Sequence, residues 1–303
     1  MINFKTKAQD LEFSQFYNAP LYLNPAFAGV GNGPRFTLNY RNQWPSLNNA
    51  FINYTASYDQ DIPKISGGVG LLVAADNQGN GLYKNLSFTG IYAYQLNVGD
   101  NFAVKTGFSA SYNQSSINYS ELQFIDGSEL APSFTSKSYF DAGVGALVYS
   151  KKVFFGLGVK HLTQPTISFY ESGKSMLPIR FAANLGYEFK KRKKSKSYFA
   201  PNVLYVQQGR FSELNVGGYF GTGALNLGLA LRHDFSNADA VILIVGIKKG
   251  VFKTAYSYDV TASNLRGRSG GAHEFSIGFN FGDSKNAERK RDMKKFTGCP
   301  TFF

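Results

Sequence analysis

Long apolar runs are missing from this chain of 303 residues. Nowhere do about 18 apolar residues follow one another, the length a helix needs to cross a membrane, so a transmembrane helix is excluded. Cysteine is almost absent too. Cys299 stands alone, which rules out an internal disulfide framework. Histidine occurs three times, as His161, His233 and His273, and no two of them have the spacing of metal ligands. No metal and no cofactor are expected. His273 and Glu274 are adjacent, but neighbours on a strand point to opposite faces and cannot work together as an acid–base pair. The chain therefore reads as a non-enzymatic protein, although a Ser–His pair assembled in space stays open as the alternative. Charged residues make up only 17%, and Met1 to Lys7 lacks the apolar core of an export signal, which is expected to have been removed.

Abundance lies elsewhere: 32 Gly, 28 Phe and 19 Tyr. Near the C-terminus Phe275, Ile277, Phe279 and Phe281 alternate with Glu274, Ser276, Gly278 and Asn280. Period two puts one set on each face of a strand. The same design recurs about fourteen times, with no helical pattern to cover the apolar faces. Phe36, Leu38 and Tyr40 alternate with Thr37, Asn39 and Arg41, until Trp44-Pro45 ends that strand. Further strands are expected over 51–59, 67–75, 84–97, 101–113, 139–150, 153–161, 180–190, 197–207, 211–221, 224–234, 240–248, 251–259 and 272–281. An all-β, antiparallel transmembrane barrel needs this pattern: apolar residues toward lipid, small and polar ones toward the lumen, and no unpaired edge. Its connections alternate. Those at 97–101, 150–152, 221–224 and 248–251 are tight, while 76–84, 113–139, 161–180 and 259–272 are long. That phase suits short periplasmic turns, long external loops and both chain ends in the periplasm.

The formal charge of +12 raises nucleic acid as a partner. Yet the basic clusters at Lys151-Lys152, 190–196, Lys248-Lys249 and 289–295 fall between or after strands, with no basic helix or stacking platform. Nucleic acid is set aside, and outer-membrane lipid is the expected surroundings. The clusters share the periplasmic end, where they would favour anionic partners. Lumen-facing residues read as mostly small, with few rings of charge. That counts against an ion-selective porin.

Three regions follow: residues 1–34 before the first strand, the barrel over 35–282, and a basic periplasmic tail over 283–303. The first region carries Pro20 and Pro25, which forbid a ladder position. It is also rich in Phe13, Phe16, Tyr17, Leu21, Tyr22, Leu23 and Phe27. Such a segment is expected to be ordered, packed at or in the barrel mouth. Candidate partner-binding or plug residues are Asn24, Pro25, Phe27 and Gly29 in this segment. Arg41, Asn42, Gln43 and Trp44 are candidates at the end of the first strand, with Asp259, His273 and Glu274 near the last two. Asp259 is expected to pair with Arg266 or Arg268 in its loop, or with Arg41 in the lumen. The glycine pairs Gly67-Gly68, Gly217-Gly218 and Gly270-Gly271 read as bends or tight turns.

Phe13-Ser-Gln-Phe followed by Leu23-Asn-Pro-Ala-Phe-Ala-Gly resembles the N-terminal signature of the PorP/SprF family, outer-membrane proteins of the Bacteroidetes type IX secretion system. Tyr40-Arg-Asn-Gln-Trp-Pro, Gly68-Val-Gly with Asp76 and Gly79-Asn-Gly-Leu continue the likeness. So do Asp141-Ala-Gly-Val-Gly-Ala, His161-Leu-Thr-Gln-Pro, Tyr256-Ser-Tyr-Asp-Val-Thr, Gly271-Ala-His-Glu and Cys299-Pro300. The resemblance implies a barrel serving protein secretion and gliding. Such a barrel helps to secrete a cell-surface adhesin, or anchors it by binding its C-terminal domain. The other branch it implies is a core component linked to the periplasmic ring of the machine. A channel or hydrophobic-ligand transporter is the alternative.

Overall fold

A computed structural model describes residues 10–31, 33–47, 51–98, 101–121, 134–169, 175–190, 197–235, 238–262 and 269–283. The fourteen expected strands are present. They are β1 (Arg35–Gln43), β2 (Phe51–Ile62), β3 (Gly67–Gln78), β4 (Tyr83–Val98), β5 (Phe102–Asn118), β6 (Phe134–Tyr149) and β7 (Val153–Lys160). The second half is β8 (Arg180–Tyr187), β9 (Ser197–Gln208), β10 (Phe211–Thr222), β11 (Leu225–His233), β12 (Ala238–Lys249), β13 (Phe252–Thr261) and β14 (Ala272–Asn280). Each pairs antiparallel with its neighbours in sequence, and β1 closes on β14 with Leu38 opposite Ile277. Closure gives each strand a hydrogen-bonded neighbour on both sides, as a medium without water requires, although β6 pairs with β7 only over Val144–Tyr149. Among the described residues no helix is long and apolar enough to cross a membrane, which says nothing of strands.

Alternation sorts the side chains. Leu38, Phe88, Phe108, Phe140 and Phe275 point out and are exposed, whereas Thr37, Asn39, Ser57 and Ser276 point in and are buried. Near one end Tyr58, Phe102, Phe189, Phe199 and Phe281 add exposed aromatic rings, as an interfacial girdle would.

Three details differ from the expectation. β5 and β6 run well past 113 and begin well before 139, so the connection between them shrinks to 119–133. Residues 113–118, Asn-Gln-Ser-Ser-Ile-Asn, break the apolar alternation that marks the strand in sequence, yet backbone pairing to β6 continues through Asn118 opposite Phe134. The phase of the connections is looser than read: 79–82 and 209–210 are tight turns at the end that carries the long connections 161–179 and 262–271. The last strand stops at Asn280, and the Phe281 N–H donates to the Pro34 carbonyl. Arg266, Arg268, residues 191–196 and 284–303, with Cys299, lie outside the described residues.

Candidate functional site

The barrel is not empty. Residues 10–31 run along its interior, starting at the long-connection end and finishing at the short-connection end, where β1 begins. The segment does not stop at the mouth, because it brings its own hydrogen-bonding groups to the polar wall. A single helical turn, Pro20–Leu23, and two short 3-10 turns, Phe16–Asn18 and Pro25–Phe27, satisfy part of its backbone locally. Prolines start two of these turns, where a missing N–H costs nothing.

Four contacts hold the segment along its length. At the long-connection end Asp10 meets His161, with Nε2 2.9 Å from Oδ2. The other ring nitrogen, Nδ1, is 2.7 Å from Asp141 Oδ2. Lys160 and Arg180 stand 3.4 and 3.9 Å from the same Asp10 oxygen, and Gln208 bonds both its backbone and its carboxylate. Both imidazole nitrogens face carboxylates, so both must donate, which only the protonated ring can do. Burial alone would lower the His161 pKa, but Asp10 and then Asp141 hold it above the ordinary value. Burial alone would raise Asp10, yet His161, Lys160 and Arg180 hold it well below.

One turn further in, Ser14 and Gln15 reach the centre of a buried ionic cluster. The Arg41 guanidinium binds Asp259 Oδ2 at 3.0 Å and Glu274 Oε2 at 3.2 Å, and donates to Ser14 Oγ at 2.7 Å. Arg232 binds the same Asp259 oxygen at 2.9 Å, Ser14 Oγ at 2.8 Å and Glu213 Oε1 at 3.3 Å. The Ser14 and Gln15 N–H groups donate to the two oxygens of Glu274, at 2.8 and 3.0 Å. Strands β1, β10, β11, β13 and β14 each contribute one charge, so the sheet's closure assembles the cluster. The neighbouring Asn18 donates to Ser276 Oγ and accepts from Lys253.

Midway, Asn24 caps the turn at Ala26 and donates to the Ala146 carbonyl at 3.0 Å. Here the wall is lined by glycine, because the segment's backbone lies on it. A Cβ at Gly158 would stand 2.7 Å from the Leu23 carbonyl, and one at Gly107 would strike the Ala26 nitrogen. At the short-connection end Gly29, at φ +67°, donates to Asp59, which Arg35 holds at 2.8 Å. A Cβ on Gly29 would stand 2.6 Å from Gly68 Cα. Gly68 is therefore a close-approach residue on the wall rather than a bend, whereas Gly270 and Gly271 do turn, at φ +75° and +70°.

The expected site residues divide. Arg41, Asp259 and Glu274 come together in the buried cluster, and Asn24, Pro25, Phe27 and Gly29 lie further along the same lumen. Asn42 and His273 do not: they face outward opposite each other, and His273 takes the Tyr256 hydroxyl at 2.8 Å. Gln43 and Trp44 sit at the rim, with the Trp44 ring edge-on to Phe51. Asp10, Ser14, Gln15, His161, Glu213 and Arg232 were not singled out for the site. The signal for Arg232 was its inward parity on β11, beside apolar outward neighbours. The lumen is also more charged than its small residues suggested, with Arg35, Lys105, Arg180 and Lys253 buried on its wall besides the cluster. Among the described residues no group of metal-binding side chains forms.

The latch at Asp10 carries a pH sign. His161 stabilises the seated segment fully below its unperturbed pKa of 6.5, and that contribution is lost as pH rises through the raised value. Asp10 contributes above its unperturbed 3.8 and fails only as pH falls through the lowered value. Backbone hydrogen exchange over residues 10–13, corrected for the intrinsic rate, is expected to lose protection as pH rises above 6.5 through the raised His161 value. His161→Ala should weaken protection by about 1–3 kcal/mol, the cost of leaving buried polar groups unpaired, and abolish the pH dependence. An unchanged pH profile in that variant would contradict the latch.

Comparisons with known proteins agree with this architecture. The profile of a family described as type IX secretion system membrane protein PorP/SprF matches residues 5–279. No curated protein matches by sequence. Among solved structures the barrel is similar to the Ralstonia pickettii toluene transporter TbuX, with a TM-score of 0.54 and 9% identity over 86% of this chain and 91% of that one. The Pseudomonas putida toluene transporter TodX has a TM-score of 0.48 and 10% identity over 86% and 91% of the two chains. The Acinetobacter baumannii outer membrane protein Omp33 has a TM-score of 0.48 and 9% identity over 84% and 100%. At such identity the likeness to TbuX shows the barrel fold alone, and the other two scores are too low to add to it.

Proposed function

The chain belongs to the PorP/SprF family of type IX secretion system membrane proteins, and on that premise we propose that it is a non-enzymatic outer-membrane scaffold. It helps to secrete a cell-surface adhesin, or anchors it, by binding that adhesin's C-terminal domain. The short-connection end, with Lys151-Lys152 and Lys248-Lys249, faces the periplasm and the secretion machinery. The long-connection end faces outward.

One observation carries the choice of scaffold over channel: residues 10–31 occupy the lumen and are fixed there by the ion pairs of Asp10 and by the hydrogen bonds of Ser14 and Gln15 to the buried cluster. A conducting pore needs a continuous wet path, and this segment fills it with Phe13, Phe16, Leu21 and Phe27. The toluene transporter TbuX shares the barrel fold with this chain, and that likeness lends the channel reading no support of its own.

The test is recovery of the tagged protein from outer membranes in mild detergent, with partners identified by mass spectrometry. A large surface protein in near-equal amount is the expected result. Periplasmic ring components in its place would favour the core branch of the family. The barrel recovered alone, with steady solute conductance in planar bilayers, would overturn the scaffold and leave a channel.

A further inference from the structure

Above the lumenal segment, at the long-connection end, the barrel keeps a cavity of about 790 Å³. Its size is that of a ligand site, and its lining joins apolar surface to an unusually large set of polar side chains. Its β4–β5 wall is a field of short amides and hydroxyls, Asn85, Ser87, Thr89, Ser109, Ser111 and Asn113. Tyr22 and Leu21 of the lumenal segment belong to the same lining. The carboxylates Asp10, Glu12, Asp76 and Asp141 line it against two bases, Lys160 and His161.

Those two bases are spoken for. Lys160 pairs with Asp10, and His161 bridges Asp10 and Asp141. Asp76 is different. It points inward from β3, is 7% exposed, and no lysine, arginine or histidine among the described residues lies within ion-pair distance. Its two oxygens instead each accept one amide N–H, from Asn53 and Gln78, both at 2.6 Å. Those two donors favour the ionised carboxylate, while its burial works against it. A buried charge without a counter-ion is costly, and the amide pair fixes this one in place at the cavity wall.

We propose that this cavity receives a lysine- or arginine-bearing extended peptide segment of the protein's partner, with Asp76 as the counter-charge for its basic side chain. The amides and hydroxyls of β4 and β5 then bond the peptide's backbone. Asp10 and Asp141 are already neutralised by His161 and Lys160, and Glu12 is engaged by a side-chain hydrogen bond with Glu213, so Asp76 is the carboxylate left for the incoming cation. The inference rests on the scaffold reading and names the chemistry by which the scaffold grips its partner from the long-connection face.

The experiment uses the full chain in detergent. The probe is an acetylated, fluorescein-labelled hexapeptide alternating serine and arginine, with a serine–glutamate hexapeptide as control, read by fluorescence anisotropy. The arginine peptide is expected to bind and the glutamate peptide not. Asp76→Asn should weaken binding at least about 30-fold, the scale of truncating a buried charge pair, and Asp76→Glu should restore part of it. Unchanged gel mobility without heating reports that each variant keeps its barrel. Equal binding of both peptides, or of wild type and Asp76→Asn, overturns the proposal. The partner pull-down separates the two readings. A partner recovered equally with wild type and Asp76→Asn sinks the cavity's role and leaves the scaffold. No partner with wild type sinks the scaffold itself.

Discussion

Arg41→Ala is expected to loosen residues 10–31 from the wall while the fourteen-stranded ladder stays closed. Arg41 is the cation that Glu274 pairs with, and it shares Asp259 with Arg232. Without it Glu274 is a fully buried carboxylate facing only the N–H groups of Ser14 and Gln15. Removing one partner of a buried pair costs about 3–5 kcal/mol, most of it the penalty on the charge left behind. The wall should survive, because its hydrogen bonds run from strand to strand and do not pass through the cluster. The readouts are the temperature at which the barrel loses its folded gel mobility, expected to fall, and exchange protection over residues 14–18, expected to collapse. Arg41→Met combined with Glu274→Gln should recover part of the loss, since it removes both charges at once. Retained protection at Ser14 and Gln15 in the single variant would show that the ion pairs do not hold the segment.

Deleting residues 10–30 should have the larger effect. The deletion removes Phe13, Phe16, Leu21, Tyr22, Leu23, Phe27 and Val30 from a dry interior. At roughly 1.5–3 kcal/mol per buried side chain the loss exceeds about 10 kcal/mol as an upper estimate. It also leaves Arg41, Arg232, Asp259 and Glu274 lining an open lumen, where water can solvate them. The barrel should therefore persist with a lowered unfolding temperature and conduct in planar bilayers, while the intact chain stays silent. Equal conductance from both proteins would mean that the segment does not occlude the lumen.

The strands were legible because a barrel wall is a local problem. Each one needs only period-two alternation and a turn, and Phe36 to Arg41 or Phe275 to Asn280 display that without reference to the rest. The ordered, lumen-directed segment was legible for a related reason. Pro20 and Pro25 exclude it from the sheet, and its aromatics exclude it from water. Arg41 with Asp259 was one of three pairings open to that carboxylate, and the structure takes it together with Arg232. His273 went the other way: adjacency to Glu274 drew notice, but parity put it on the outer face.

What the sequence alone determined was the closed, two-faced wall and the presence of a segment that must be sheltered inside it. Where that segment lies was decided only in three dimensions. Ser14 stands 245 positions from Asp259, and Asp10 stands 151 from His161, so no local pattern records either meeting. They meet because closing β1 on β14 brings inward side chains from distant strands around one lumen, where burial favours pairing each charge. The segment's hydroxyl, amide and N–H groups are what complete that set.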